Sequence, residues 1–482
     1  MDYSISSIPK ELYIRGAWRS SSDAARSAVL DPATEEVIAE VADASAADAL
    51  EAVEAAAAAG PLWAARAPRE RGEILRRSFE LLIQHREAFA RLITLESGKA
   101  LTEARSEVSY AAEFLRWYSE EAVRVDGHVG VAPSGANRMI VIRQPIGVCV
   151  LITPWNFPAA MATRKIGPAL AAGCSVILKP AKETPLTALA LASLFEEAGV
   201  PSGVINVLPS RRSSQIVSVM LRDSRVHKLS FTGSTQTGRI LLAQAAQQVI
   251  KCSMELGGNA PFLVFSDADM DLAVASAMVA KLRNGGESCT AANRFYVQAP
   301  VAEEFSYRLA AKMKEVKLGP GLEEGVQMGP LVNAQTRAKV AAMVEEARDA
   351  GARILTGGRM PARRGYFYEP TVITGAPTDA RVFREEIFGP VAPIATFESL
   401  DEAVRLANSS EFGLVSFVHT RELSKALAVA ERIDSGMVGI NRGIVSDPAA
   451  PFGGWKQSGV GREGAHEGLL EYLETKYIAA SW

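Results

Sequence analysis

The chain has 482 residues, 48% hydrophobic and 22% charged, which suits a globular protein of two or three domains and excludes a disordered or fibrous one. A formal net charge of -3 gives no electrostatic case for nucleic acid or an anionic membrane as partner. Four scattered cysteines (Cys149, Cys174, Cys252, Cys289) and five histidines far apart in sequence offer neither a disulfide framework nor metal-ligand spacing, so no metal is expected. The start MDYSISSIPKELYIRG lacks a basic-then-apolar signal pattern, and no apolar run reaches membrane-spanning length. A cytoplasmic, reduced protein is the expectation.

Residues 1–42 read as short strands, with Asp31-Pro32 as a turn. An alanine-rich helix is predicted from about Ser45 to a stop at Gly60-Pro61, and two amphipathic helices over Glu70–Ser97 and Thr102–Val123. Between Arg124 and Arg143 the pattern changes to a β-hairpin around Pro133-Ser134-Gly135, which is too small to be stable alone. From Ile146 to about Phe265, apolar β-branched runs (IGVCVLI, CSVILKP, GVINVLP, VHKLSFTG) alternate with helical segments. That alternation implies a parallel sheet covered on both faces, with ligands beyond the carboxyl ends of its strands. A second α/β region follows to about Asn441, and the last residues begin helical and end extended.

The residues after each strand therefore matter most. Thr153-Pro154-Trp155-Asn156 follows the first, Lys179-Pro180-Ala181-Lys182 the second, and Gly233-Ser234 opens a helix after the fourth. A strand-to-helix turn of that last kind favours an anion, though such turns are common without one. Gly459-Val460-Gly461-Arg462-Glu463-Gly464 matches GxGxxG but has no preceding strand and no βαβ context, so it is rejected as a dinucleotide fingerprint. Cys289 sits on a run of small and polar residues, GESCTAAN, just past Gly285. Packing is the ordinary fate of a lone cysteine, and a nucleophile needs access and stabilised negative charge. Glu255, at a strand end among apolar and glycine residues, is a candidate general base, with a helix cap or salt bridge as the plain alternative. Asn156 could donate its amide to an oxyanion. Lys179, after a buried strand, suits a ligand contact better than a core position.

PWNFP, LKP, FTGST, ELGG, the Cys289 loop, EEIFGP and PFGGWKQSG stand in an order and spacing that resembles the aldehyde dehydrogenase superfamily over essentially the whole chain. The resemblance implies an NAD(P)-dependent oxidation of an aldehyde to a carboxylic acid. Cys289 would attack the aldehyde, Asn156 and the Cys289 backbone N–H would hold the oxyanion, and Glu255 would activate water against the thioester. It also implies cofactor contacts from Thr153, Pro154, Trp155, Lys179, Gly233, Ser234, Leu256, Glu386 and Phe388. The carboxyl-terminal stretch from GIVSDPAAPF onward is most similar to succinate-semialdehyde dehydrogenases, whose two arginines and a serine hold the substrate's far carboxylate. The matching positions are Arg164, Arg283 and Ser446, and arginine's planar fork suits that task. An interdomain salt bridge is the plain alternative for each arginine.

Two departures stand out. Ala291 occupies the place of a second cysteine found in some members, so a redox-switch disulfide is not expected. Lys182 stands where NAD-preferring relatives carry glutamate, and with Arg211 and Arg212 nearby it favours NADP over NAD. The expected architecture is α/β: a Rossmann-like cofactor domain (1–123 and 144–256, with 450–467 returning to it), a catalytic domain (257–449) and a small β oligomerisation element (124–143 and 468–482). A homodimer or homotetramer is expected. Rival readings are a dehydrogenase for glutarate or α-ketoglutarate semialdehyde or for aldehydes broadly, a cysteine hydrolase, which would want a histidine base near Cys289, and a non-catalytic scaffold.

Overall fold

The apolar runs after Ile146 form the strands Val148–Ile152, Ser175–Lys179, Ile205–Val207 and Val226–Thr232 of a computed structural model that describes residues 3–481. Successive side chains go to opposite faces: Leu151 and Val176 join one apolar core, Val150 and Ile177 another. A sheet clothed on both faces explains why these runs are continuously apolar. The eight-stranded sheet has the order Ala17–Arg19, Leu12–Ile14, Ile205–Val207, Ser175–Lys179, Val148–Ile152, Val226–Thr232, Lys251–Glu255, Gly459–Val460. Its central five strands are parallel. The chain lays down Val148–Ile152, builds outward to one side, then returns to the other with Val226–Thr232. The point of reversal lies between those two strands, where such sheets bind ligands.

The second sheet has seven strands, with Ala292–Gln298 and Ala260–Val264 near its centre and parallel. Only the four residues Leu256–Asn259 separate the end of Lys251–Glu255 from the start of Ala260–Val264. The carboxyl ends of the first sheet are thereby joined to the amino ends of the second.

Two expectations change. The first helix, Ala46–Ala64, runs through Gly60-Pro61 instead of stopping there. Pro61 falls in the last turn, where it removes a single helical bond to the Ala57 carbonyl, and buried Trp63 holds that turn by donating Nε1 to the Leu170 carbonyl at 3.2 Å. The helix expected over 70–97 is two, Pro68–Gln84 and Arg86–Ser97, separated by His85, whose ring meets Tyr3 edge-on at 4.8 Å. Gly459–Val460 pairs antiparallel with Lys251–Glu255 and opens no βαβ unit. The hairpin strands His128–Val131 and Arg138–Pro145 form a separate three-stranded sheet with Leu473–Ala480.

Candidate active site

At the seam between the two sheets, the turn Arg283–Gly286 carries the chain from the helix Met270–Leu282 toward Cys289. Asn284 (φ 54°), Gly285 (φ 61°) and Gly286 (φ 80°) are left-handed in succession, a conformation that asparagine and glycine tolerate best. The linking residue Gly258 packs directly on the cysteine loop: a Cβ there would stand 2.4 Å from the Cys289 carbonyl oxygen. Cys289 is half-buried, and its backbone N–H has no acceptor among the described residues. Burial pushes its thiol up to about 12, with Arg164 and Arg283 acting against the rise and Glu386 and Glu255 adding to it.

Asn156 follows Val148–Ile152, at the reversal point of the first sheet, and is 4% exposed. Its Nδ2 donates to the Glu287 carbonyl at 3.0 Å, and its Oδ1 has no partner. Its own carbonyl accepts from Lys99 Nζ at 2.6 Å and from Asn284 Nδ2 at 3.0 Å. Glu255, the last residue of its strand, is 3% exposed, and neither carboxylate oxygen has a hydrogen-bond partner. It is therefore neither a helix cap nor a closed salt bridge. Burial holds its carboxyl well above the usual range, neighbouring Glu463 adds to this, and Lys165, Arg164 and Arg462 oppose it.

Arg164 and Arg283 come together at Tyr110, over whose ring their guanidinium carbons lie at 5.6 and 5.7 Å. Arg164 is buried and 3.7 Å from Glu463, so it does have a salt-bridge partner. Arg283 borders a cavity of about 400 Å³ together with Phe157, Met278, Gln327 and Ile444. Ser446 is half-buried two residues beyond Ile444 on the same loop.

On the other side of Asn156 the first sheet presents a second set of groups. Lys179 is 5% exposed, its ammonium has no hydrogen-bond or ion-pair partner among the described residues, and burial lowers it to about 8. Ser234 is exposed and caps the helix Thr235–Ala245, accepting from the Thr237 N–H. Leu256 is buried beneath that helix's start, against Gly238. Thr153 is buried, with Pro154 and Trp155 half-buried beside it. The Trp155 ring meets Phe388 edge-on at 5.4 Å, and Phe388 itself has φ 57°. Glu386 accepts from the Gly258 N–H at 3.0 Å, and burial raises it to about 7. Lys182 is exposed and lines a cavity of about 360 Å³ with Arg211. Arg212 does not join them: it is ion-paired to Asp23 and lies 3.7 Å from Asp43. A partnerless buried ammonium and an open helix N-terminus at the sheet's reversal point fit a dinucleotide.

The family model described as "Aldehyde dehydrogenase family" matches residues 18–478. The chain belongs to the aldehyde dehydrogenase family. It is an NAD(P)-dependent enzyme that oxidises aldehydes to carboxylic acids. It is 54% identical to a succinate-semialdehyde dehydrogenase of Paenarthrobacter nicotinovorans over 86% of this chain and 92% of that one. It is 47% identical to a glutarate-semialdehyde dehydrogenase of Pseudomonas putida over 98% of both chains. The solved succinate-semialdehyde dehydrogenase of Burkholderia pseudomallei superposes with a TM-score of 0.97 at 46% identity, covering 99% of each chain.

Several groups of the enzyme's site escape a sequence reading. Lys99, Glu107, Asn284 and Glu287 anchor Asn156 and its surroundings, and Tyr110 joins the arginines. Lys165 and Glu463 form a buried ion pair beside Glu255. Glu463 lies inside the rejected GxGxxG, where attention to phosphate binding hides a carboxylate. A lysine just after Gly98, at a helix end, was the one available signal for Lys99.

Proposed function

We propose that the enzyme oxidises succinate semialdehyde to succinate, with Cys289 as nucleophile, Glu255 as general base and Arg164, Arg283 and Ser446 as the carboxylate subsite. The observation that carries this reading is that Arg164 and Arg283 flank one aromatic ring and both bear electrostatically on the Cys289 thiol. Two guanidinium groups in a largely aromatic wall are suited to a small aldehyde that ends in a carboxylate. The 54% identity to a protein named for that substrate supports the same choice.

In this mechanism the thiol passes its proton to water as sulfur bonds to the aldehyde carbon, because burial disfavours a free thiolate. The carbonyl oxygen becomes an oxyanion, which the unpaired Cys289 N–H and the second amide hydrogen of Asn156 hold. A nicotinamide cofactor, when bound, supplies the acceptor for the hydride whose loss converts the thiohemiacetal into a thioester. Glu255 then takes a proton from water as the water oxygen attacks the thioester, releasing the acid and the Cys289 sulfur. A partnerless carboxylate with raised proton affinity is suited to that step.

Lys179, Ser234, Gly233, Leu256, Thr153, Pro154 and Trp155 would hold the adenosine and pyrophosphate side, with Glu386 and Phe388 at the nicotinamide side. NADP is favoured, because Lys182 and Arg211 line one cavity, which Glu96 and Glu183 also line, Glu183 standing 3.8 Å from Lys182. The domain division expected from sequence is kept, with the three-stranded sheet as the oligomerisation element of a homodimer or homotetramer. A cytoplasmic location is consistent with four free cysteines, and no described helix is long and apolar enough to cross a membrane.

Initial rates with succinate semialdehyde and with butanal, on wild type and Arg283→Ala, test the reading. A preference for the acid-bearing aldehyde that collapses in the variant supports it. Equal rates for both aldehydes, unaffected by the variant, would make the arginines structural. Glutarate semialdehyde belongs in the same assay, because one methylene is worth only about 1–3 kcal/mol of discrimination and the Pseudomonas putida relative is named for that longer substrate.

A further inference from the structure

The helix Leu101–Glu121 turns one stripe toward the site. Glu103, Glu107, Tyr110 and Phe114 recur at helical spacing on it. Glu103 accepts from the Asn284 N–H at 2.7 Å, and Glu107 pairs with Lys99 and accepts from the Ala159 N–H at 2.9 Å. Tyr110, between these carboxylates and Phe114 along the helix, is half-buried, and its ring lies 5.6 and 5.7 Å from the two guanidinium carbons.

The hydrogen bonding at Tyr110 is one-sided. Arg164 Nη2 donates to its hydroxyl oxygen, so that oxygen acts as acceptor there. The hydroxyl's own hydrogen has no acceptor among the described residues. Glu463 lies 3.7 Å from Arg164 and Glu103 lines the same cavity as Arg283, and aromatic rings make further contacts: Phe452 at 4.1 Å and Phe114 at 4.9 Å from Arg164, and Phe157 at 4.9 Å from Arg283. Aromatic faces attract both cations but supply no anion and no acceptor. Two like charges near one ring, with a spare O–H beside Arg164, leave a position that an anionic oxygen would complete.

We propose that Tyr110 is a third donor of the substrate-carboxylate subsite, giving its O–H to the terminal carboxylate while its ring and oxygen hold Arg164 and Arg283 in register for the same group. This rests on the reading of a carboxylate-bearing aldehyde substrate, and it adds a residue that can touch that carboxylate directly. Ring and hydroxyl have separate roles: the ring spaces the guanidinium groups, and the hydroxyl discriminates charged from uncharged tails.

Tyr110→Phe keeps the ring and removes only the hydroxyl. Its steady-state kinetics with succinate semialdehyde and with butanal, beside those of Arg283→Ala, decide the matter. The expected result is a KM for succinate semialdehyde raised about tenfold or more, the worth of a hydrogen bond to a charged group. Its kcat should stay near wild type, and neither the butanal constants nor the cofactor KM should move. Unchanged constants for both aldehydes in Tyr110→Phe, with discrimination still lost in Arg283→Ala, would overturn the role of Tyr110 and leave the substrate reading intact. An equal rise for both aldehydes would also overturn it, because a purely structural residue behaves that way. Should Arg283→Ala leave discrimination unchanged as well, the substrate reading falls and this proposal with it. The Tm of Tyr110→Phe should fall by no more than a few degrees, since the packed ring is retained and only the Arg164 Nη2 bond to the hydroxyl is lost.

Discussion

At the residue scale, the site is a set of polar groups left incomplete by their neighbours. Glu255 has two partnerless oxygens in a buried setting, and its carboxyl is held well above the usual range by burial first and Glu463 second. The sign of the stability effect follows. An unfolded glutamate ionises near pH ~4.3, whereas the folded one resists ionisation until higher pH. The folded state is therefore disfavoured increasingly as pH rises above the unfolded value. Glu255→Gln should accordingly show a higher Tm than wild type at pH 8 and a matching Tm near pH 4. It should also lose thioester hydrolysis while still releasing a first equivalent of reduced cofactor in a burst. A Tm difference independent of pH would mean that the carboxylate is not the source of the strain. Lys182 supports a second prediction. Lys182→Glu should lower the NADP-to-NAD ratio of kcat/KM by about tenfold or more, the scale of one charge-assisted contact. An unchanged ratio would remove Lys182 from cofactor selection. Both residues are legible in sequence by position and charge. What cannot be read there is that Arg212, adjacent to Arg211, is consumed by Asp23, a residue far away along the chain.

At the element scale, the helix Leu101–Glu121 shows how much an amphipathic pattern conceals. Its periodicity predicts a helix over almost the observed span, and its inward stripe would ordinarily be read as core. Yet Glu107, 2% exposed, pairs with Lys99 and also accepts from the first N–H groups of the helix Pro158–Ala172, as a cap supplied from another element. Lys99 in turn fixes the Asn156 carbonyl at 2.6 Å. Glu107→Gln would leave the Lys99 ammonium buried without its counter-charge, a change that costs about 3–5 kcal/mol when a buried pair is broken. The expected outcome is a Tm lowered by several degrees and a reduced kcat, because the group next to the oxyanion position loses its support. A variant with wild-type Tm and kcat would show that solvent or another donor compensates. Sequence patterns miss this chain of contacts because each link spans elements that are distant in sequence. Pro61 illustrates the reverse case: a strong local stop signal is overridden by the burial of Trp63 two residues later.

At the scale of the whole molecule, the two sheets and their strands are legible from apolar runs, whereas their mutual placement depends on the four-residue link after Glu255. The same holds for the hairpin. Its strands are predictable, but the pairing of Arg138–Pro145 with Leu473–Ala480 joins segments over 300 residues apart. That small sheet is where the oligomer prediction belongs. Val129, Ile140 and Ile478 are aligned across its three strands, so they share one face. Val129 is 67% exposed and Ile478 40%. The sheet also ends in two outer strands, His128–Val131 and Leu473–Ala480, each paired on one side only among the described residues. Exposed apolar rows beside open edges are the usual preparation for a partner chain. Ile478→Asp should therefore lower the mass measured by light scattering to that of a smaller assembly, while circular dichroism stays unchanged. The kcat/KM of the dissociated form should fall less than the mass suggests, because Cys289, Asn156 and Glu255 all lie at the seam between the two large sheets. An unchanged mass in Ile478→Asp, or a monomeric wild type, would move the oligomeric contact elsewhere or remove it.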